Sequence, residues 1–418
     1  MHLLSTTMVY AVGRSGTLPN IVAPSGVLRG DSMAYLERSI ALGRNFSELA
    51  GGNEQIHVRL YAISTALLAP IIGANIFSIE LISLPLYLLA LFLVYDVGRV
   101  CFEPRTGFAA AITVGLLPSF LLHETQPLRD PLFVVLMLAL LSIILRLITN
   151  SLTAIPALAF AASGCLILLL AWLVRDSFGL VYVGVVSLGL IALVAASIRK
   201  RRAFMPNFVC LLFFFAALVF IPKAFSNWLP PKEPMTTEQK QSLDEFTNRQ
   251  VQSGQGGVLL KISVMRQKFV ILYKDAGSNI DANRTFPSTI SVISYLPRAV
   301  LIGLLAPFPV SWFEEGKVFG LVGRLIAGLE ICMVSLLSLF ALVGVWRSRR
   351  SIQAWLLLAV ALLGGAALGL VVVNVGALYR MRYFFWILLI ILAASYLAHA
   401  ISLRRGIGFI FYSKKQGA

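Results

Sequence analysis

Nine runs of mainly apolar residues, 78–99, 107–123, 130–149, 154–174, 178–197, 207–222, 318–346, 353–376 and 382–402, restrict the fold of this chain more than any other feature. A helix needs roughly 20 apolar residues to cross the core of a bilayer, and these runs approach or exceed that length with turn or charge signals between them. Hydrocarbon offers no partner to a backbone N–H or C=O, so runs of this length must be helices that satisfy their own hydrogen bonds. The whole chain agrees: 58% of its 418 residues are hydrophobic and 13% charged. Its mean hydropathy of +0.84 lies outside the range of water-soluble globular proteins. The expected fold class is all-α, a polytopic helical membrane protein with juxtamembrane helices and a small external region.

The formal net charge of +16 does not point to nucleic acid, because the basic residues are scattered through short loops and form no continuous stripe or recognition helix. Topology explains them better. Arg99, Arg105, Arg146, the "RKRR" at 199–202, the "WRSRR" at 346–350 and a tail with Arg404, Arg405, Lys414 and Lys415 hold 14 basic residues against one acid, Glu103. Placed on the cytoplasmic side they obey the positive-inside rule, and the remaining 21 basic residues nearly balance 18 acids. The gap at 123–130, the Arg175–Asp176 turn, a polar stretch from 223 to 290 and the "YRMR" at 379–382 then face outward.

This parity requires two apolar segments, 58–74 and 289–309, not to cross, and Pro70, Gly73, Pro297 and Arg298 suit them to interfacial or re-entrant positions. Four regions result. Residues 1–57 form a first external loop, without a span or a signal peptide in 1–30. Residues 58–222 form an N-terminal transmembrane module with a juxtamembrane helix at 58–74. Residues 223–290 are an external loop in which Thr236 and Gln239 form the capping box of a short soluble helix. Residues 291–418 supply C-terminal juxtamembrane and transmembrane helices. The expected location is the inner (plasma) membrane, multi-pass, with any chemistry facing the periplasm or exterior.

Charge in such a chain is expensive, so each charged group near a span is weighed between a structural and a chemical role. In "LLHETQPLRDPLFVV", 121–135, Asp130 followed by Pro131 fits the cap and first position of a helix, yet His123, Glu124 and Arg129 stand within seven residues of it. Asp31, in "RGDSMAYLERSIALG", is another candidate cap or catalytic carboxylate. Glu54, His57 and Arg59 open the segment at 58–74 as solvated loop charge or as substrate contacts. Arg380 and Arg382, with Tyr379, Tyr383 and Trp386, read as a snorkelling interfacial belt or as a phosphate clamp. Glu330 lies inside a span, where a carboxyl pairs with Arg324, takes a proton or serves function. Asp96 and Arg99, three residues apart, read as a local ion pair. The four cysteines show no CxxC, and no Walker loop, GxGxxG, HExxH or GxSxG element occurs.

The order of these features resembles the GT-C superfamily of integral-membrane glycosyltransferases, in particular the bacterial branch similar to protein O-mannosyltransferases and the lipid A aminoarabinose transferase. The residues that carry the likeness are "RGDSMAYLERSI", "HVRLYAI", "VYDVGRVCFEPRTGFAAAITVGLLPSF", "LRDPLFVVLML" and "YRMRYFFWILLIILAA". The resemblance implies an inverting transfer of a hexosyl or pentosyl group from a polyprenyl-phosphate-linked donor to a lipid, glycan or protein acceptor, among membrane lipids and without nucleic acid. It places Asp31 on the family's first-loop acid and Asp130 on its second-loop acid, both as catalytic residues. Arg380 or Arg382 falls near the donor phosphate. Glu54, His57, Glu124 and Arg129 complete the expected substrate-binding set. No cofactor is required by any motif, and a divalent metal is left open. Two departures are visible: the residues before Asp31 are too few and too polar for the family's first span, and "HVRLY" stands where a Pro-rich motif is usual. A multi-pass transporter or flippase using Glu330 and Arg298, or a catalytically inactive envelope-assembly protein, are the alternatives.

Overall fold

The computed structural model describes residues 1–45, 54–201, 205–229, 235–274, 276–313 and 320–415, with 401–415 as helix backbone. Among these residues 81% are helical, in 17 α-helices, and there is no strand. Eight helices are long and apolar enough to cross a bilayer, and a broken pair makes nine when counted as one span.

The chain opens with α1 (His2–Ser15), which ends at Gly16 in the left-handed region, φ 66°. Next come α2 (Asp31–Arg44) and α3 (Ile56–Ile72), which pack on each other. A membrane helix, α4 (Glu80–Cys101), follows, then α5 (Pro104–Gly115) and α6 (Pro118–Glu124). The sequence reads 107–123 as one apolar run, but the structure bends it by 73° between α5 and α6. Leu117 is extended (φ −64°, ψ 118°) and Pro118 starts the new helix, as the steric demand of proline on the residue before it requires. The bend leaves His123 and Glu124 at the end of a short helix that leads into the gap before the next span.

That span, α7 (Asp130–Thr149), is the hub, with 83% of its apolar window buried. Around it stand α8 (Ala154–Val174), α9 (Gly179–Lys200) and α10 (Met205–Ala224). The polar stretch after α10 holds α11 (Thr237–Gln252) and α12 (Gly257–Leu272). Thr236 and Gln239 close the capping box on α11. The sequence suggests one helix here, and the second, α12, is held by the buried Arg266. Its guanidinium donates to the carbonyls of Arg284 (3.1 Å) and Leu370 (2.9 Å).

The C-terminal part contains α13 (Thr289–Leu305), α14 (Gly320–Arg347), α15 (Ile352–Val371), the short α16 (Val375–Met381) and α17 (Tyr383–Lys415). The two apolar helices α3 and α13, at 17 residues each, are shorter than the candidate spans. Glycines let α13 lie against α15: a Cβ on Gly303 would sit 2.0 Å from the Gly365 carbonyl oxygen, and one on Gly369 would sit 1.9 Å from that of Ala299. Small residues at such a contact let two backbones approach closely. The helices α10 and α14 form the perimeter, each with 28% of its apolar window buried. The cytoplasmic-side pair expected at Asp96 and Arg99 exists (2.9 Å) and gains Arg146 from α7 at 2.7 Å.

Candidate active site

Both aspartates singled out from the sequence begin helices, and neither carboxylate caps one. Gly30, at φ 92°, precedes Asp31, and Arg129 holds the position before Asp130, with no side-chain capping bond in either case. Each carboxylate goes instead to an arginine far away in the chain. Asp31 accepts from Arg380 Nη1 at 2.7 Å, with the side chains 48% and 25% exposed. Asp130 accepts from Arg175 Nη2 at 2.5 Å, with both side chains almost fully buried. The Arg175 guanidinium lies against an edge-to-face pair of rings, Phe133 (5.1 Å) and Phe178 (5.0 Å), and its carbonyl accepts from Tyr182 at 2.9 Å.

The two pairs are coupled through Arg380. Its burial opposes the charge, but the nearby Asp130 and Asp31 outweigh that and raise its pKa above the ordinary arginine value. Asp31, Arg380, Asp130 and Arg175 are thus an electrostatic row of alternating charge: two ion pairs, one half-exposed and one buried, with Arg380 under the influence of Asp130. Opposite charges at this spacing in a weakly screened setting hold each other's positions.

Of four further expected residues, three lie behind or beside this row. Arg129 is half-buried and acts electrostatically on both Asp130 and His57. His57 is 1% exposed and meets Tyr35 edge-on at 4.6 Å. Neither of its ring nitrogens has a hydrogen-bond partner. Burial, and then the Arg129 charge, push its imidazole down to about 3, so it is neutral. Glu124 is 2% exposed, with Oε2 unpartnered and its backbone carbonyl receiving His2 Nε2 at 3.3 Å. Glu54 stands apart. Its carbonyl accepts from Arg59 Nε at 3.0 Å, and no described contact joins its carboxylate to the row.

Arg380 and Arg382, two residues apart, part company. Arg382 is fully buried between the rings of Tyr379 and Trp386, each 4.0 Å from its guanidinium carbon, and donates to the Ala306 carbonyl. Burial lowers its pKa to about 10. It stabilises the turn between α16 and α17 and is not in the row.

Glu330 does not pair with Arg324, which donates to the carbonyls of Ser311 (2.9 Å) and Gly277 (3.0 Å). Glu330 Oε1 instead accepts from the Ser119 hydroxyl (2.7 Å) and amide (3.2 Å), and Oε2 accepts from the Tyr379 hydroxyl (2.9 Å). Arg298 is taken by Asp281 at 2.5 and 2.8 Å. The two groups that a translocation path would draw on are thus committed to local partners.

Sequence reasoning did not single out Arg175. The signal was available: "AWLVRDSFG" places an arginine directly at the end of an apolar run, where only a buried partner or a snorkelling exit satisfies it. Among the described residues the two aspartates do not build a divalent-metal site. Asp31 and Asp130 each hold a guanidinium, and among the described residues no three His, Cys, Asp or Glu side chains converge on one point.

No protein-family model and no curated protein sequence matches the chain. Solved structures do. The apo oligosaccharyltransferase of Archaeoglobus fulgidus superposes on 98% of this chain at 14% identity and a TM-score of 0.53. The same archaeal enzyme, AglB, in complex with an inhibitory peptide and a dolichol-phosphate, superposes on 97% at 15% identity and a TM-score of 0.50. This chain spans about half of their length, 52% and 51%. ArnT from Cupriavidus metallidurans, bound to undecaprenyl phosphate, overlaps 96% of this chain and 78% of its own at a TM-score of 0.37, too low to weigh. At these identities the likeness is one of fold.

Proposed function

We propose, on the premise of a GT-C membrane fold, that the chain transfers a sugar from a polyprenyl-phosphate-linked donor to an acceptor at the outer face of the inner (plasma) membrane. One observation carries the reading: the Asp31–Arg380 ion pair, open to solvent, with the charge of Asp130 beside it. A carboxylate and a guanidinium in one hollow are the two groups that glycosyl transfer from a lipid phosphate requires. The first removes a proton from the acceptor hydroxyl as its oxygen attacks the anomeric carbon. The second stabilises the charge that grows on the departing phosphate as the anomeric C–O bond breaks.

Asp31 is the base in this scheme and Arg380 the phosphate ligand. Paired with Arg380, the Asp31 carboxylate is engaged. A donor phosphate competes for the same guanidinium, in the bidentate geometry that arginine offers best, and its arrival frees the carboxylate for the acceptor. Asp130, locked by Arg175, keeps Arg380 charged and in place, while Arg129 faces the acceptor side. His57 and Glu124 set the polarity behind that layer, and Glu54 meets substrate farther along the first loop.

The test is transfer from undecaprenyl-phosphate-linked hexoses and pentoses by protein in lipid nanodiscs. Asp31→Asn, which keeps shape and removes the base, is expected to lower kcat by roughly 10²–10⁴-fold. Arg380→Gln is expected to abolish measurable transfer. Full activity in both variants, present at normal levels, would end the proposal.

A further inference from the structure

We infer that Glu330 is a positioning residue for Arg380: from the perimeter helix α14 it holds both flanks of the Tyr379–Tyr383 segment and fixes the register in which Arg380 meets Asp31. This rests on the glycosyl-transfer reading and assigns to the same site a part on a helix that never reaches it.

The location of Glu330 demands an explanation. Its helix turns Ile326 (56% exposed), Leu329 (74%) and Leu336 (53%) outward, while Glu330 points inward at 5%. A carboxylate inside a span is retained only where partners offset its desolvation. Glu330 has a full set. Ser119, at the start of α6, donates both its hydroxyl and its amide to Oε1, and Tyr379 donates to Oε2. Three elements distant in sequence meet at one side chain.

Those partners surround Arg380. Tyr379 is its immediate neighbour. On the other flank, His123 Nδ1–H donates to the Ser119 carbonyl at 2.7 Å and is shared with the Tyr383 hydroxyl oxygen at 2.8 Å, which accepts from it. Between them, Arg382 is stacked on Tyr379 and Trp386 and tied to the Ala306 carbonyl. Residues 379, 382 and 383 are thus each fastened within the helix packing, and Arg380 is the one polar side chain of the turn that reaches Asp31. A guanidinium that binds phosphate must be held to within a fraction of an ångström, since a displacement of about 1 Å can cost 10²-fold in rate. Glu330 supplies that hold on the Tyr379 side directly and on the Tyr383 side through Ser119 and His123.

The experiment compares Glu330→Leu, Glu330→Gln and Tyr379→Phe with Arg380→Gln. Each is assayed in nanodiscs for transfer from an undecaprenyl-phosphate-linked sugar, with kcat and the donor KM separated. Glu330→Leu is expected to raise the donor KM roughly ten- to hundredfold, and Tyr379→Phe to raise it in the same direction. Glu330→Gln keeps a carbonyl for Ser119 and an amide for the Tyr379 oxygen, and is expected to bring KM back to within roughly threefold of wild type. Should Glu330→Leu fail to fold, Tyr379→Phe, which deletes a single hydroxyl, decides the matter. Unchanged donor KM in Tyr379→Phe and Glu330→Leu beside a dead Arg380→Gln overturns the inference and leaves the transfer reading intact. Full activity in Arg380→Gln overturns both.

Discussion

Replacing Arg175 with leucine removes one half of the best-buried ion pair among the described residues. The guanidinium meets Asp130 at 2.5 Å, and the side chains are 2% and 5% exposed. With charge centres about 4 Å apart and an effective dielectric near 20, their attraction is about 4 kcal/mol. Losing one partner of such a pair costs about 3–5 kcal/mol, because the other charge stays buried without compensation. The contact of Arg175 with the rings of Phe133 and Phe178 adds about 1 kcal/mol to what is lost. Arg380 and Arg129 offset part of the penalty, since both act on Asp130. The expected loss is about 3–4 kcal/mol in Arg175→Leu and a comparable one in Asp130→Asn. The double variant Asp130→Asn/Arg175→Leu is expected within about 1 kcal/mol of wild type, because it leaves neither member of the pair charged and alone. The assay is reversible unfolding of the purified protein in mixed micelles across denaturing detergent fractions, read as a double-mutant cycle. A loss below about 1 kcal/mol in the single arginine variant would mean that Asp130 is neutral or hydrated there, contrary to the pairing.

Two other outcomes follow from the packing. His57 titrates near 3 in the folded chain against 6.5 unfolded, so the unfolded state takes up the proton first as pH falls. Stability is therefore full above about pH 6.5 and declines toward pH 3, by at most about 1.4 kcal/mol per pH unit. His57→Phe, which breaks no hydrogen bond, is expected to flatten that decline in unfolding measured at pH 7.5 and 5, and an unchanged slope would contradict the burial argument. Gly369→Ala sets a methyl against the Ala299 carbonyl and is expected to destabilise the α13–α15 contact by about 1–3 kcal/mol or more. The same unfolding assay checks it, and a neutral substitution would show that the two helices have room to part.

Membrane spans were legible in the sequence because their cause is local: a bilayer imposes a length and an apolar composition on each run. Nine runs read from hydropathy correspond to the eight spans and the broken pair. The break itself was marked by Pro118, but a hydropathy run averages over a single proline. Local pairs and caps were equally readable, as with Asp96–Arg99 and the Thr236–Gln239 box, since both partners lie within one turn.

Partner choice across the chain was not readable. Asp130 looks like a cap beside Pro131, and nothing within 40 residues reveals that Arg175 will take its carboxylate instead. Arg380 and Arg382 are indistinguishable as letters. Only the turn between α16 and α17 sends one to Asp31 and the other between two rings. Glu330 was visible as a costly charge, but its expected partner, Arg324, lay nearby in sequence while the true ones lie 211 and 49 residues away. Short helices such as α1 and α16 escaped for a different reason: packing stabilises them more than intrinsic propensity does.

The most direct measurement is a structure of the protein in nanodiscs with undecaprenyl phosphate, read at one pair of distances. The expected result places a phosphate oxygen about 2.8 Å from the Arg380 guanidinium, with Asp31 released from it and facing the open side of the hollow. A phosphate bound elsewhere, with the Asp31–Arg380 pair still closed, would contradict the proposed division of labour between base and phosphate ligand.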